Sequence, residues 1–188
     1  MPFEFRQSEI PGVVIVEAGA FGDDRGRFSE SYQASAFAAA GIAERFLQDN
    51  LSWSTKRGTV RGMHYQKPPA AQGKLVRCLQ GTILDVVVDL RRGSPTEGRR
   101  ASFELDVASG TMVWVPAGLA HGFQTLVDDC LVLYKTTAEY SPGHEAGIRW
   151  DDPDLGISWP VRPAILSPRD AALPGLAGSA GVFFWAER

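Results

Sequence analysis

The stretch KLVRCLQGTILDVVVDL, residues 74–90, decides the fold class of this chain. Residues 74–80 and residues 82–90 are short runs rich in apolar and β-branched side chains, and Gly81 separates them. Short apolar runs bounded by glycine predict strands that are joined by a tight turn. The same pattern recurs along the chain, and it predicts further strands at residues 13–17, 27–32, 59–65, 101–107, 111–115 and 131–138.

Helix is scarce in this sequence. The one clear helical candidate is the alanine-rich segment 33–40, which ends at Gly41 in the manner of a helix C-cap. No alternation of strands and helices is visible, which excludes a Rossmann-type fold. Many short strands with tight turns therefore predict an all-β protein, either a sandwich, a jelly roll or a small barrel.

Length and charge limit the possible functions. A chain of 188 residues is long enough for one domain with a substantial core, so we expect residues 1–188 to form one domain, with an irregular tail from about residue 163. The net charge of -3, without a basic stripe, gives no reason to expect a nucleic-acid partner. A local basic cluster suits a small anionic ligand instead. Its members are Arg57, Arg61, Lys67, Lys74 and Arg77.

The sequence also bears on the compartment. The N-terminal residues MPFEFRQSEI contain neither a basic region nor an apolar core, so we expect no signal peptide. No apolar run approaches the roughly 20 residues that a membrane span needs. We therefore expect a cytoplasmic protein with no membrane partner. Cys78 and Cys130 lie within apolar runs, and we expect both to be buried thiols rather than a disulfide.

The apolar end of the tail needs a cover. Residues 182–185 read VFFW, and an apolar cluster of this kind is expected to pack against another surface. Two covers are open at this point, the barrel of the same chain and a partner subunit.

Residues 61–66, RGMHYQ, together with Lys74, are the strongest functional signal. A histidine in mid-strand, with cations nearby and no metal-ligating partners, suggests proton chemistry on an anionic substrate. Because side chains alternate along a strand, His64 and Gln66 face one way and Arg61 faces the other. Arg61 and His64 can reach one ligand only if a bulge or a curved barrel wall intervenes.

The same alternation groups other polar side chains by face. The groups are Tyr134 with Tyr140, if the strand extends that far, Gln48 with Asn50, and Phe28 with Glu30. Each candidate also has a structural interpretation when it is taken alone. Lys74 is then a solvated edge-strand lysine, Tyr134 an aromatic residue of the barrel, and Asp170 a turn residue or helix cap.

Collinear motifs carry a resemblance to a known family. They are FGDDRGRFSE (21–30), QDNLS (48–52), RGMHYQ (61–66), QGKLVR (72–77), DVVVDLRRGSPT (85–96), VPAGLAHGF (115–123), Tyr134-Lys135 through Tyr140, WDDP (150–153) and LSPRD (166–170). In this order they resemble dTDP-4-dehydrorhamnose 3,5-epimerases over roughly residues 10 to 175. The resemblance implies a cupin-type double-stranded β-helix, or jelly-roll barrel, that is usually a homodimer. It further implies no metal or organic cofactor, and a dTDP-linked 4-keto-6-deoxy sugar as substrate.

The resemblance also implies roles for single residues. His64 would be the base, oriented by Asp170, Lys74 would stabilise the enolate, and Tyr134 would donate a proton from the opposite face. Residues that match family positions at the base or diphosphate are Arg25, Glu30, Gln48, Asn50 and Arg61. Phe28, with Phe21, would pack on the thymine, Tyr140 would flank the sugar or pyrophosphate, and His121 would support the cavity floor near the ketone.

Several alternatives remain open from the sequence. Met63 stands where the family more often has leucine, and Leu119 where phenylalanine is common. Relatives with the same catalytic residues invert only C3 or only C5, and a CDP-linked sugar is an alternative to a dTDP-linked one. A metal-dependent cupin would need ligands from scattered positions, because position 66 is glutamine and no His-x-His pair exists. A non-catalytic sugar-nucleotide-binding cupin is the remaining rival.

Overall fold

The computed structural model describes residues 3–179 and 182–186, and nearly all of its regular structure is β. The strands in chain order are β1 (Phe3–Gln7), β2 (Val14–Ala18), β3 (Ala20–Asp23), β4 (Gly26–Ser29), β5 (Gln48–Ser54), β6 (Val60–Gln66), β7 (Lys74–Gln80), β8 (Thr82–Asp89), β9 (Arg91–Arg92), β10 (Arg100–Asp106), β11 (Thr111–Val115), β12 (Leu119–Thr125), β13 (Cys130–Thr136), β14 (Glu145–Gly147) and β15 (Phe183–Phe184). Two short helices, α1 (Ala34–Ala39) and α2 (Pro168–Ala171), and two 3₁₀ helices, Pro142–His144 and Leu176–Ser179, accompany them.

Eleven of the fifteen strands in the described residues form two facing antiparallel sheets, while β3 with β4 and β9 with β15 form separate pairs. One has six strands in the order β1-β2-β11-β7-β13-β5, and the other has five in the order β10-β8-β12-β6-β14. Strands that are distant in the chain are neighbours in the sheets, as when β11 lies between β2 and β7. Consecutive strands β7 and β8 belong to different sheets, so the chain crosses between the two walls at Gly81. This is the cupin-type jelly-roll barrel that the resemblance implies, and one of the three architectures that the strand pattern left open.

The core lies between the two sheets. Side chains from both walls meet there, including Val76 and Val132 from the six-stranded sheet and Ile83, Val87 and Phe123 from the five-stranded sheet. The free thiols of Cys78 and Cys130 are buried in the same cluster, as predicted. Every second residue of each strand thus points inward, and polar residues at such positions face the barrel interior.

Further apolar layers cover the outer faces of both sheets. Helix α1 places Phe37 against Phe3 and Phe5, with ring centroids 5.3 and 5.2 Å apart, over the six-stranded sheet. The helix ends as its sequence predicts: Gly41 has a φ of +87°, and the N–H of Ile42 donates to the carbonyl of Phe37 at 2.9 Å. The five-stranded sheet is covered by the segment that contains Trp150 and Trp159.

The tail is covered by its own barrel. Strand β15 pairs in parallel with β9, Phe183 is buried, and its ring lies 5.9 Å from that of Tyr65. The Arg91 guanidinium lies 4.5 Å from the centroid of the Trp185 ring. Of the two covers left open by the sequence, the chain itself therefore serves for Phe183, while Phe184 remains exposed. Val182 packs partly buried against the same cluster.

The structure corrects several predicted bounds. Strand β4 ends at Ser29 rather than Tyr32, and β13 ends at Thr136, so Tyr140 does not continue that strand. Strands β1, β5 and β12 were not predicted at all. Within the described residues, no helix has both the length and the apolar character that a membrane crossing requires.

Candidate active site

A cavity of about 510 Å³ opens between the two sheets at one end of the barrel, and a smaller pocket of about 120 Å³ adjoins it. The predicted catalytic residues His64, Lys74, Tyr134 and Asp170 all line it. Of the predicted substrate-binding residues, Arg61, His121 and Tyr140 line the larger pocket, and Gln48 and Asn50 the smaller one. Nine of the twelve predicted site residues thus meet in one place.

His64 and Asp170 form a hydrogen-bonded pair at this cavity. The Nε2 atom of His64 lies 2.7 Å from Oδ1 of Asp170, although 106 positions separate the two residues in the chain. Ser167 caps the short helix α2, since its Oγ accepts the N–H of Asp170 at 3.1 Å, and this cap holds the carboxylate in place. Burial alone would raise the pKa of Asp170, but its hydrogen bond to His64 and the charge of that ring keep the pKa below its ordinary value. Asp170 is therefore a carboxylate at neutral pH.

A register shift in the sheet solves the parity conflict between Arg61 and His64. Along β12, His121 pairs with His64, but two residues later Phe123 pairs with Arg61, so the pairing slips by one residue. The backbones of β6 and β12 approach closely at this point, because a Cβ built on Gly62 would lie 2.5 Å from the Cα of Gly122. The irregularity that the sequence argument required is present, and both side chains face the cavity.

Lys74 begins β7 on the opposite wall. Its ammonium is buried, and Nζ donates to the carbonyl oxygen of His64 at 3.3 Å. Burial lowers the pKa of Lys74 to about 8, while the carboxylates of Asp85 and Glu145 act in the other direction. A desolvated ammonium with few partners is well suited to binding a negative charge that develops on a ligand.

Tyr134 lies on β13, in the same six-stranded sheet, and its ring packs partly buried against the barrel core. Burial raises the pKa of the Tyr134 hydroxyl above its ordinary value, partly opposed by Arg61. The phenol therefore keeps its proton at neutral pH and is able to donate it. His64 lies on the five-stranded sheet, so the two groups project from facing walls.

A second histidine–carboxylate pair faces the same cavity. Nε2 of His121 lies 2.7 Å from Oδ1 of Asp85, which is fully buried between Ile83 and Val87 on β8. The other carboxylate oxygen of Asp85 has no hydrogen-bond partner among the residues that the structure describes. The sequence reasoning missed Asp85, although a lone carboxylate inside the apolar run ILDVVV (83–88) is a signal, since such a charge needs a partner.

The mouth of the cavity holds two further residues that the sequence reasoning missed, Glu145 and Arg169. The Tyr140 hydroxyl donates to Oε2 of Glu145 at 2.5 Å, and the Arg169 guanidinium is 2.6 Å from the same oxygen. Burial would raise the pKa of Glu145, but the hydrogen bonds from Tyr140 and Arg169 hold it below its ordinary value. For Arg169, the signal in the sequence was its position next to Asp170.

Three predicted substrate-binding residues lie elsewhere within the chain. Arg25 and Phe28 belong to the hairpin β3–β4, where Arg25 pairs with Asp23 at 2.5 Å and Phe28 is 66% exposed. Glu30 follows this hairpin, and its Oε2 is buried without a hydrogen-bond partner in the described part of the chain. None of the three is among the described residues that line the cavity, so their predicted contact with substrate stays a prediction.

A metal-dependent cupin would need several ligating side chains close together. Over residues 3–179 and 182–186, no group of three or more His, Cys, Asp or Glu side chains is arranged to hold a metal ion. His64 and His121 are each committed through Nε2 to a single carboxylate.

A jelly-roll barrel whose cavity combines a His–Asp pair, a buried lysine and a protonated tyrosine defines an acid–base enzyme of the cupin type. Comparison with known proteins gives the particular family. Residues 7–178 match the family described as dTDP-4-dehydrorhamnose 3,5-epimerase, and the chain belongs to that family of isomerases.

Individual relatives agree with this assignment. The chain is 47% identical over 173 residues to the dTDP-4-dehydrorhamnose 3,5-epimerase of Sinorhizobium fredii. The aligned region covers 92% of this chain and 89% of that protein. It is similar, with a TM-score of 0.92 and 39% identity, to the dTDP-6-deoxy-D-glucose-3,5-epimerase of Legionella pneumophila in complex with dTDP-4-keto-L-rhamnose, over 98% of this chain and 100% of that chain.

A relative of narrower activity is also similar. ChmJ, a 3'-monoepimerase from Streptomyces bikiniensis solved in complex with dTDP-quinovose, has a TM-score of 0.86 and 38% identity, covering 92% of this chain and 87% of that chain. A 3,5-epimerase and a 3'-monoepimerase thus share this fold, with TM-scores of 0.92 and 0.86 to this chain.

Proposed function

We propose that this protein inverts C3, C5 or both carbons of a dTDP-linked 4-keto-6-deoxyhexose, converting dTDP-4-dehydro-6-deoxyglucose to dTDP-4-dehydrorhamnose when both are inverted. The observation that carries the proposal is the placement of His64 and Tyr134 on facing walls of one cavity, with Lys74 beside them. A C–H bond next to a ketone is acidic, and inversion needs removal of the proton on one face and return on the other.

His64 is the base of the proposed reaction. Its Nε2–H donates to Asp170, which leaves Nδ1 as the nitrogen that accepts the substrate proton. When the ring takes that proton it becomes an imidazolium, and the adjacent carboxylate stabilises the new positive charge. The pair therefore both orients the base and stabilises the charge that the ring acquires.

Lys74 and Tyr134 complete the proposed reaction. Loss of the proton places negative charge on the C4 oxygen, and the Lys74 ammonium stabilises this enolate. Tyr134 then donates its hydroxyl proton to the carbon from the opposite face. Because burial raises the pKa of Tyr134, the donor is fully protonated in the resting site.

The nucleotide half of the substrate lies, in this proposal, toward Arg61, Gln48, Asn50 and Tyr140 at the cavity wall and mouth. Arg61 offers a guanidinium to the diphosphate, since its fork matches phosphate oxygens. The partners of the nucleotide further include Arg25, Phe28 and Glu30. Because these three lie outside the cavity of their own chain, their contact requires the hairpin to move or to reach the cavity of a second subunit.

We also propose that the protein is a homodimer. Leu51 and Trp53 are each 66% exposed on β5, an edge strand of the six-stranded sheet, and Leu131 and Leu133 lie beside them on β13. An edge strand that exposes large apolar side chains favours association with another chain. The proposed location is the cytoplasm, where the nucleotide-sugar substrate would be found.

Solvent-deuterium exchange tests the proposed reaction. With dTDP-4-keto-6-deoxyglucose in heavy water, the protein should introduce label at C3, at C5 or at both, and the labelled positions identify which carbons it inverts. Label at one carbon would establish the single-position alternative, and a parallel CDP-linked substrate would test the nucleotide. Tight binding without label at either carbon would contradict the proposal and favour the non-catalytic sugar-nucleotide-binding cupin.

A further inference from the structure

Gln66 is a buried polar residue of the active-site strand that no catalytic step uses. It ends β6, two positions after His64, and its side chain is almost completely buried. Both ends of its carboxamide are engaged. Nε2 donates to the carbonyls of Ala70 at 2.7 Å and Glu139 at 3.2 Å, and Oε1 accepts the N–H of Ser141 at 2.7 Å.

Two of these hydrogen bonds go to residues that flank Tyr140. Residues 138–141 follow the end of β13 and belong to no strand, so side chains rather than a sheet ladder satisfy their backbone. Gln48 accepts the N–H of Tyr140 at 2.8 Å, and Gln72 donates to the carbonyl of Ala138 at 2.6 Å. Three glutamines thus bond this segment, and Gln66 is the one that bonds the residues on both sides of Tyr140.

Beyond these backbone contacts, the position of Tyr140 depends on its hydroxyl. Its side chain is 52% exposed, and its hydroxyl is bonded to Glu145 at the cavity mouth. Glu145 itself pairs with Gln66 across β14 and β6, so the partner of the hydroxyl and the support of the backbone lie side by side on adjacent strands. If the carboxamide of this buried glutamine is removed, its backbone partners are left without these hydrogen bonds. The segment 138–141 would then relax toward solvent.

We infer that Gln66 is a positioning residue for substrate binding: its carboxamide fixes the 138–141 segment so that the Tyr140 ring stands at the mouth of the cavity. The inference rests on the proposed function, in which Tyr140 flanks the sugar nucleotide. The role of Gln66 is structural rather than catalytic, since its carboxamide is occupied by backbone partners from two loops.

The test compares Gln66→Met, which keeps the size and apolar stem but removes all three hydrogen bonds, with Tyr140→Ala. Gln66→Met should raise KM about tenfold with kcat within about threefold, because binding and not proton transfer loses its support. In the double variant the two changes should not add, because Gln66 acts through Tyr140. Additive effects, or a fall in kcat at constant KM, would overturn the inference.

Gln124→Met is the matched control. Gln124 is also fully buried, and its carboxamide also bonds a loop backbone, with Nε2 to the carbonyl and Oε1 to the N–H of Val161, both at 3.0 Å. That loop does not carry Tyr140. Gln124→Met should therefore lower the melting temperature without changing KM, whereas a rise in KM equal to that of Gln66→Met would reduce the effect to general loosening of the barrel.

Two additional measurements keep the outcomes separate. The dissociation constant of the dTDP-linked sugar, measured by calorimetry, should rise in Gln66→Met even if turnover is absent. Wild-type turnover reports on the proposed function alone. If Gln66→Met does not fold, Gln72→Met removes one bond to the same segment from a half-buried position and should raise KM in the same direction by a smaller factor. An unchanged KM and an unchanged dissociation constant in that variant would contradict the inference.

Discussion

Two histidine–carboxylate pairs face the same cavity with the same Nε2–Oδ1 distance of 2.7 Å, yet their surroundings differ. The side chain of His64 is 29% exposed, and its carboxylate comes from a four-residue helix in the tail. The side chain of His121 is 7% exposed, and Asp85 is wholly buried on a barrel strand. His64 is therefore the more accessible of the two imidazoles, as the proposed base must be, while His121 is enclosed together with its carboxylate.

Replacement of the two histidines should separate these roles most clearly. His64→Asn should lower kcat about a thousandfold or more, because the base is lost. His121→Asn should lower it only about tenfold, because the substrate keeps its base and loses one contact in the floor. Steady-state kinetics on the dTDP-linked sugar measure both values, with circular dichroism as the check of folding. Equal losses in the two variants would mean that both pairs transfer protons.

Tyr134→Phe asks which group returns the proton on the face opposite His64. If Tyr134 is the donor on the far face, Tyr134→Phe should retain binding and some exchange of substrate protons with solvent by His64. Net inversion should fall about a hundredfold or more, because the proposed donor on the far face is removed. NMR in heavy water measures exchange and inversion in one experiment. Unchanged turnover would assign the acid to water or another residue, with Tyr140 the first to test.

The two carboxylates should differ in what they support. Asp170→Asn leaves the His64 ring without its charged partner, and we expect kcat to fall about a hundredfold with a small change in melting temperature. Asp85→Asn affects a group enclosed by the core, so the melting temperature should fall by several degrees while kcat at neutral pH changes less. Thermal unfolding and kinetics on the same preparations check both statements. The reverse pattern would exchange the roles assigned to the two pairs.

Sequence reasoning recovered the barrel because most strands alternate or end at glycine. Strands β7 and β11 match their predicted bounds. Strand β12 was missed because all seven of its residues are buried, polar ones included, which removes the alternation that marks a half-buried strand. Strand β5 was missed for the opposite reason: its inward positions are polar and line the cavity, while Leu51 and Trp53 point outward.

The same limits apply to the site. Collinear motifs brought His64, Lys74, Tyr134 and Asp170 into one interpretation, but strand parity alone would have kept Arg61 out of it. The register shift opposite Gly122 depends on the pairing of β6 with β12, and no single segment encodes it. Asp85 was missed because its significance comes from His121 on a neighbouring strand. Contacts between strands that are distant in the chain are the part that the sequence does not state.

The pH dependence of turnover gives the smallest and most specific test of the two pairs. In the proposed reaction the protonated form of Lys74 stabilises the enolate. Burial lowers the pKa of Lys74 to about 8, so activity should be present below about pH 8 and lost as the pH rises through that value. Tyr134 does not account for this loss, because burial raises its pKa above the ordinary value of 10.0. The alkaline limb therefore reports on Lys74.

The carboxylate of Asp85 raises the pKa of Lys74 against the effect of burial, and Glu145 does the same from β14. Removal of the Asp85 charge in Asp85→Asn should therefore move the alkaline limb to lower pH. Asp170 is not among the groups that shift Lys74, so Asp170→Asn should lower the whole profile without moving this limb. Profiles of kcat between pH 6 and 10, each scaled to its own maximum, separate a moved limb from a lowered one. If the limb does not move in Asp85→Asn, Asp85 supports only the fold. The His121–Asp85 pair would then have no effect on the charge of Lys74.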